Sequence, residues 1–154
     1  MNNNQEKPNR IPKSNDVATS ENKMDSSDVQ EVKPLKPEQK PFEEFVIDHL
    51  IPTLEQSLQK AGRDVNKIEL KQDERPVVGG QCWQVYCQMD TYKKFWLTFN
   101  SNNISSIKNF ALSEDGTEPG LLESFLIDEK KITLALLVSR VLQRLNGQKW
   151  LGAN

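Results

Sequence analysis

The two cysteines, Cys82 and Cys87, are the first residues whose chemistry needs an interpretation. They lie five positions apart in residues 81–89, where apolar and polar side chains alternate as in a β-strand. At about 3.3 Å per residue, their Cα atoms would lie roughly 16 Å apart on opposite faces, whereas a disulfide needs Cα atoms within roughly 7 Å. Their spacing also differs from that of a CxxC redox motif. We therefore predict a core thiol at Cys87 and a partly exposed thiol at Cys82.

The only histidine, His49, falls on or beside the apolar stripe of a predicted helix. A catalytic histidine needs a nucleophile or an orienting acid nearby, and the local acids Asp48 and Glu55 complete no triad or metal motif. With one histidine and two cysteines, a structural zinc site would need at least one carboxylate, and a four-thiolate iron–sulfur cluster cannot be built. A helix-surface or partly buried histidine is the favoured interpretation.

Two further patterns match functional motifs only in part. Gly79-Gly80 follows two valines but lacks the GxGxxG and GxxxxGK[ST] spacings of phosphate loops, so the glycines are expected to allow a sharp entry into the next strand. Glu123, Asp128 and Glu129 precede a predicted helix, where acids usually interact with the helix dipole. We predict no catalytic, cofactor-binding or metal-binding residues, and we expect the protein not to be an enzyme.

Basic and aromatic residues gather near the C-terminus. Arg140 and Arg144 share a helix face by their i, i+4 spacing, and Lys149 and Trp150 follow. Arginine and tryptophan are frequent anchors of protein interfaces. The alternative is a solvated helix face with a packing tryptophan, and the sequence leaves the two interpretations near even. We take these four residues as the candidate partner interface. Trp83 and Trp96 carry the same ambiguity between core and interface.

Charge and composition narrow the classes of partner. The 20 Lys and Arg residues against 22 Asp and Glu residues give a net charge of −2, so the chain lacks the basic footprint that nucleic-acid binding requires. Hydrophobic residues make up only 36% of the 154 residues, which is low for a globular chain. The deficit lies in residues 1–40, which contain eight hydrophobic residues and no aromatic one.

This composition divides the chain into two parts. Residues 1–40 are predicted to be a disordered tail, because they cannot bury enough apolar surface to offset the entropy of ordering them. Their last part, residues 32–41, is Pro-rich and is predicted to be an extended, semi-stiff linker. Residues 41–154 contain all the aromatic residues and are predicted to form a single domain.

No segment of the sequence predicts secretion or membrane insertion. The first ten residues, MNNNQEKPNR, have no apolar core and do not form a secretory signal. The most apolar stretch, residues 132–138, is far shorter than the ~20 residues of a membrane-spanning helix. We expect a cytoplasmic protein with no direct membrane span, whose association with a membrane would go through a partner.

Hydrophobic periodicity predicts the elements of the domain. Residues 42–61 have the spacing of an amphipathic helix, ended by Gly62 and either kinked or restarted at Pro52. A second helical stripe covers residues 134–145, with Asp128 as a possible cap and Asn146-Gly147 as the stop. Residues 121–127 are ambiguous between helix and strand. Strands are predicted at residues 67–72, 81–89, 94–99 and 104–112.

The order of these elements predicts an α+β fold. Short connections between the strands favour an antiparallel sheet of about four strands, because antiparallel neighbours can be joined by tight turns. An N-terminal helix and a C-terminal helix are then expected to pack together on one face of the sheet.

Four blocks of the sequence resemble a small family of cyanobacteria and plastids that was long described as of unknown function. The resemblance covers about residues 38–154. The blocks are KPFEEF (40–45), PVVGGQCWQV (76–85), LLESFLIDEKKITLALLV (121–138) and VLQRLNGQKWLGAN (141–154). This family is associated with subunit V of the photosynthetic NAD(P)H dehydrogenase-like complex, which takes electrons from ferredoxin and reduces plastoquinone in cyclic electron flow.

The resemblance implies a non-catalytic accessory subunit without a cofactor of its own. It would lie peripherally on the cytoplasmic (stromal) side of the thylakoid membrane, close to the ferredoxin-docking region. Its expected partners are other subunits of the complex, with ferredoxin nearby. Two alternatives stay open: a free assembly factor for a thylakoid complex, and a small soluble ligand-binding domain whose pocket between sheet and helices holds His49 or Cys82.

Overall fold

The computed structural model of the protein describes residues 34–151. The predicted disordered tail therefore lies outside the described residues over positions 1–33. Where the predicted linker enters the described part, it is not extended throughout, because residues Pro37–Gln39 form a single 3₁₀ turn. This turn is fastened to the C-terminal helix by the Glu38 carboxylate, which accepts a hydrogen bond from the Leu134 N–H at 2.7 Å.

The N-terminal helix is continuous but contains a π-helical turn. It begins as α1 (Phe42–Phe45), widens to a π-helix over Val46–Leu50 and continues as α2 (Ile51–Lys60). Pro52 lies in the first turn of α2, where its missing N–H and its ring are tolerated because the widened turn precedes it. Gly62 ends the helix with φ of 85°, as predicted, and the Arg63 N–H donates to the Leu58 carbonyl at 2.9 Å.

The sheet has five antiparallel strands in sequence order. The four predicted strands are present, and the ambiguous segment 121–127 supplies a fifth that is only two residues long. The fourth strand begins later than predicted, because residues 103–106 form a turn in which the Ser106 N–H donates to the Asn103 carbonyl at 3.0 Å. The strands are β1 (Lys67–Glu74), β2 (Gln81–Gln88), β3 (Lys94–Phe99), β4 (Lys108–Ser113) and β5 (Glu123–Ser124).

The C-terminal helix, α3 (Leu134–Gly147), is capped by Thr133 rather than by the predicted Asp128. The Thr133 hydroxyl accepts a hydrogen bond from the Leu136 N–H at 3.1 Å. The Glu38 carboxylate supplies the negative charge at this end of the helix, and its hydrogen bond from Leu134 lowers the pKa of Glu38. The prediction failed because the acid that faces the helix start comes from 96 residues earlier in the chain.

Both helices cover one face of the sheet, which confirms the predicted α+β fold. Alternate residues of the central strands point into this covered face, and Phe42 of α1 packs edge-on against Phe99 at 5.1 Å between ring centroids. Within residues 34–151, no helix combines the length and the hydrophobicity needed to cross a bilayer. The fully buried apolar side chains of the sheet are Val85, Cys87, Phe95, Leu97, Phe99, Phe110 and Ala111.

Candidate functional site

The predicted C-terminal interface does not form as one exposed surface. Trp150 is only 1% exposed and belongs to the hydrophobic core. Its backbone N–H donates to the Leu145 carbonyl at 3.0 Å, and its carbonyl accepts a hydrogen bond from Arg63 Nε at 2.6 Å. The interface interpretation of Trp150 is therefore wrong, and the packing alternative holds, because the chain turns back after α3 and buries the indole.

The two arginines of α3 have different environments. Arg144 donates two hydrogen bonds to the Glu123 carboxylate, from Nε at 2.7 Å and from Nη2 at 2.6 Å, and these bonds raise the pKa of Arg144. Glu123 thus joins β5 to α3 instead of serving a helix start. Arg140 is half-buried, and Lys149 is exposed with φ of 64°. Of the four predicted residues, Arg140, Arg144 and Lys149 therefore keep exposed side-chain surface, and Arg144 is already engaged by Glu123.

Both cysteines are buried. Cys87 is fully buried, which confirms the predicted core thiol, and this burial raises the pKa of the thiol to about 12. Cys82 is only 3% exposed, so the prediction of partial exposure is wrong. It shares its side of β2 with Gln84, whose Nε2 lies 3.4 Å from Cys82 Sγ and which is itself 1% exposed. The connection between β1 and β2 lines the same side, so this end of the polar face is covered.

His49 is half-buried on the π-helical turn. Its Nε2 is 3.0 Å from Lys40 Nζ, so it helps to hold the chain that leads into α1. This agrees with the predicted partly buried histidine. In the described part of the chain, no group of three or more His, Cys, Asp or Glu side chains is arranged to hold a metal ion. Within residues 34–151, core side chains pack between sheet and helices, which argues against the alternative of a pocket there that holds His49 or Cys82.

The face of the sheet opposite the helices, here called the open face, carries a cross-strand aromatic pair. Tyr86 of β2 lies directly opposite Trp96 of β3, with ring centroids 5.5 Å apart and ring planes at 51°. Both rings are partly exposed. Strand alternation explains the placement, because the neighbours Val85 and Leu97 point into the core while Tyr86 and Trp96 point away from it.

Charged side chains surround the aromatic pair in compensating pairs. Lys71 Nζ lies 4.8 Å from the centre of the Tyr86 ring and 3.4 Å from Asp73 Oδ2. One step along β1, Lys67 Nζ lies 3.5 Å from Glu69 Oε2. Partial burial, with a smaller contribution from nearby negative charge, raises the pKa of Tyr86. The phenol therefore stays protonated near neutral pH and is available as a hydrogen-bond donor beside the charges.

A strained turn forms the rim of this site. The Val78 N–H donates to the Pro76 carbonyl at 2.8 Å, and the intervening Val77 has φ of 72°, which defines a γ-turn with a left-handed central residue. Such a conformation costs a β-branched residue about 1–3 kcal/mol. Val77 and Val78 are nevertheless 50% and 67% exposed. The turn therefore presents two apolar side chains to solvent at the expense of local stability.

Arg75 and the predicted glycines hold this turn in place. Arg75 Nη2 donates to Asn100 Oδ1 at 2.7 Å, and its Nη1 donates to the Gly79 carbonyl at 3.2 Å. Gly79 and Gly80 have φ of 79° and 91°, which bears out the predicted sharp entry into β2. A Cβ atom on Gly79 would lie 3.1 Å from Glu74 Oε2. The loop at the rim is thus held in place by the hydrogen bonds of Arg75 and by close packing at Gly79.

Together these residues line a wide groove of about 730 Å³ on the open face, here called the open-face groove. Four basic and four acidic side chains line it, around the Tyr86–Trp96 pair. Small-molecule sites are mostly apolar and enclosed. A polar groove with a central aromatic pair and an apolar rim has instead the composition of a protein-binding surface, where aromatic residues supply the anchoring contacts.

Sequence reasoning missed this groove although part of its signal was present. In the sequence, alternation separates Trp96 from its apolar neighbours Phe95 and Leu97, and places Tyr86 on the more polar side of β2. The two residues become one site only through the register of β2 with β3, which places them opposite each other. A two-residue turn at Asp90-Thr91 would have placed Tyr86 opposite Phe95 instead, whereas the observed register pairs Gln88 with Lys94.

Comparison with known proteins gives one family and no function. A family model described as a protein of unknown function (DUF2996) matches residues 36–152. The matched region includes every element described above and the whole open-face groove. No curated protein matches the chain.

Proposed function

The chain belongs to this family of proteins of unknown function (DUF2996), and from that premise we propose that it is a non-catalytic accessory subunit that binds a protein partner through the open-face groove. The observation that carries the proposal is the Tyr86–Trp96 pair on the open face, which stays partly exposed while its neighbours Gln84 and Thr98 are buried. A sheet face that serves only as a solvated surface has no need of two large aromatic side chains at its centre.

Three features of the groove favour a macromolecular partner. Its four basic and four acidic side chains balance, and two ion pairs, Lys67–Glu69 and Lys71–Asp73, alternate along β1, so a partner can be matched by alternating charges without a large net field. Its aromatic pair provides apolar area at low entropic cost. The two exposed valines at its rim, of which Val77 has the strained backbone, add apolar area that an interface would bury.

We further propose that the partner belongs to the photosynthetic NAD(P)H dehydrogenase-like complex. This step is supported by the four sequence blocks that resemble the cyanobacterial and plastid family, one of which, residues 76–85, contains the braced rim of the groove. The protein would then act peripherally on the cytoplasmic (stromal) side of the thylakoid membrane. It would support the stability or activity of the complex near the ferredoxin-docking region without carrying electrons itself.

The test is a pull-down with the tagged full chain from gently solubilised cyanobacterial thylakoids. Wild-type protein is expected to recover other subunits of the complex. Trp96→Ala is expected to reduce recovery about tenfold or more, because truncation of a central aromatic anchor costs on the order of 2 kcal/mol or more of binding free energy. Tyr92→Ala is the matched control, since Tyr92 is an exposed aromatic residue outside the groove and its loss should leave recovery unchanged.

The outcomes separate the two levels of the proposal. Recovery of no subunit from demonstrably intact complex would refute the assignment to that complex. Recovery that is equal for Trp96→Ala and wild type would refute the groove as the binding surface. Recovery only with assembly intermediates, and never with the mature complex, would identify an assembly factor instead.

A further inference from the structure

The outer edge of β1 is open within residues 34–151, because β1 pairs only with β2. An unpaired strand edge presents free N–H and C=O groups that can bind another strand. At eight residues, β1 is one of the two longest strands of the sheet, whereas the opposite edge strand β5 has only two. The edge beside β1 is therefore the larger free backbone surface of the sheet.

Hydrogen bonds determine which groups of β1 face outward. The Arg75 N–H donates to the Gly80 carbonyl at 2.7 Å, in the register that β1 keeps with β2. Because antiparallel pairs alternate between bonded and non-bonded, the odd-numbered residues of β1 are bonded to β2. The even-numbered Glu74 fits this alternation, because its N–H faces away from β2 and donates to Asp73 Oδ1 at 2.7 Å. The outward-facing backbone groups are those of Ile68, Leu70 and Gln72.

The odd-numbered residues of β1 carry charges of alternating sign along the open face. This charged row consists of Lys67, Glu69, Lys71 and Asp73. The charges alternate, starting with positive Lys67 and ending with negative Asp73. When the row is followed in the reverse direction, the sign at each position is therefore the opposite one. A strand with this pattern is complementary to an antiparallel copy of itself.

We propose that β1 pairs with β1 of a second copy of this chain across a two-fold axis at Leu70. In this arrangement Leu70 lies opposite Leu70 and Ile68 lies opposite Gln72, each as a hydrogen-bonded pair that uses the outward backbone groups. The charged row then forms the non-bonded pairs, in which side chains are closest. Lys67 lies opposite Asp73 of the second copy, and Glu69 lies opposite its Lys71.

The register is selective because the neighbouring registers are repulsive. A shift of two residues is the smallest that keeps the outward groups paired. In one direction it places Lys71 opposite Lys71 and Glu69 opposite Asp73. In the other direction it places Glu69 opposite Glu69 and Lys67 opposite Lys71. Like charges directly opposite each other destabilise a strand pair, so only the register centred on Leu70 satisfies all four charges.

The inference concerns backbone pairing at the edge of the sheet, but its charged row also lines the open-face groove, so the variant that separates the two is Gln72→Pro, which lies outside the groove. It also gives the half-exposed Ile68 and Leu70 apolar surroundings on the covered side. A single strand pair is a small interface, so we expect a weak dimer that forms between micromolar and millimolar protein concentrations.

Sedimentation analysis of the full chain over this concentration range provides the first test. Wild type is expected to change from monomer to dimer, and the dimer is expected to weaken at high salt. Lys71→Glu should weaken association about tenfold, because it creates two like-charge pairs across the axis. The matched control Glu69→Lys/Lys71→Glu exchanges the two signs within one chain, which restores opposite charges in both pairs and should recover association.

The backbone provides the second test. Gln72→Pro removes an outward N–H without removing a bond to β2, so it should abolish the dimer while Gln72→Ala retains it. In residue-resolved hydrogen exchange, the Leu70 and Gln72 amides should become protected as concentration rises, whereas the Lys71 amide should be protected throughout. A wild type that stays monomeric, a dimer insensitive to Gln72→Pro, or a sign exchange that fails to restore association would each overturn the inference.

Discussion

Two aromatic pairs on opposite faces of the sheet have nearly the same separation. On the covered face, Phe95 and Phe110 are stacked with ring centroids 5.4 Å apart, and both are fully buried. On the open face, Tyr86 and Trp96 are 5.5 Å apart, and both are partly exposed. The two pairs differ in what surrounds them: apolar helices on one side, and paired charges and solvent on the other.

The comparison separates stability from recognition. The covered pair extends into the core, since Phe110 also stacks on Phe125 at 5.7 Å, so its removal leaves a cavity that neighbours cannot fill. The open pair borders the open-face groove, so its removal exposes no cavity and mainly removes surface for a partner. Aromatic contact distance alone therefore does not distinguish a structural pair from a binding pair.

The largest expected effect follows directly from this difference. Phe110→Ala should lower the free energy of unfolding by about 3–5 kcal/mol, because it creates a buried cavity. Trp96→Ala should lower it by only about 1 kcal/mol, the scale of a cross-strand aromatic pair. Urea unfolding of both variants measures the two values. Equal losses would show that the open-face pair is part of the core and would remove the physical basis of the groove as a binding surface.

A smaller effect on stability is expected at the β5 edge of the sheet, where Arg144 of α3 binds Glu123. Arg144→Met should lower the free energy of unfolding by about 1–2 kcal/mol, because it removes the paired hydrogen bonds that join α3 to Glu123 of β5. This estimate is reduced for partial exposure, since the two side chains are 31% and 26% exposed.

Arg140→Met is the matched control for this variant. It changes the same residue type one turn earlier on the same helix and should alter stability by less than about 0.5 kcal/mol. Thermal or urea unfolding measures both variants. A larger loss for Arg140→Met than for Arg144→Met would contradict the assignment of Arg144 as the structural arginine of this helix.

Local patterns in the sequence were sufficient for most of the fold. Alternation and helical periodicity located four strands and both helices, because each pattern arises from a buried face within one element. The same reasoning left the segment of β5 undecided between helix and strand, and it failed for the cap of α3. A two-residue strand has no period to detect, and the acid at the start of α3, Glu38, comes from a distant segment.

The site was harder to predict because it depends on contacts between elements. Trp150 had the composition of an interface anchor, yet its burial is decided by the chain reversal after α3. Alternation places Tyr86 and Trp96 on the sides of their strands that face away from the core, but only the strand register brings them together. Cys82 was misjudged for a related reason, since the loop that covers its end of the open face is not visible in the alternation of β2.

The smallest expected effect concerns Glu38, whose carboxylate accepts the hydrogen bond from Leu134 at the start of α3. This bond lowers the pKa of Glu38 from the ordinary value of 4.5, so the ionised form favours the folded state. Its contribution is complete above pH 4.5 and is lost as the pH falls through the lowered folded-state pKa. Glu38→Gln should therefore cost roughly 0.5 kcal/mol at neutral pH, as for a weakened helix cap.

The pH dependence distinguishes this contact from a general charge effect. In acid the protonated Glu38 resembles glutamine, so the difference in unfolding free energy between wild type and Glu38→Gln should disappear there. Glu129→Gln, at an exposed carboxylate outside the helices, should show little difference at either pH. A Glu38→Gln difference that persists in acid would mean that the carboxylate charge does not hold α3, and that the covered face is stabilised by its apolar contacts without help from this N-terminal segment.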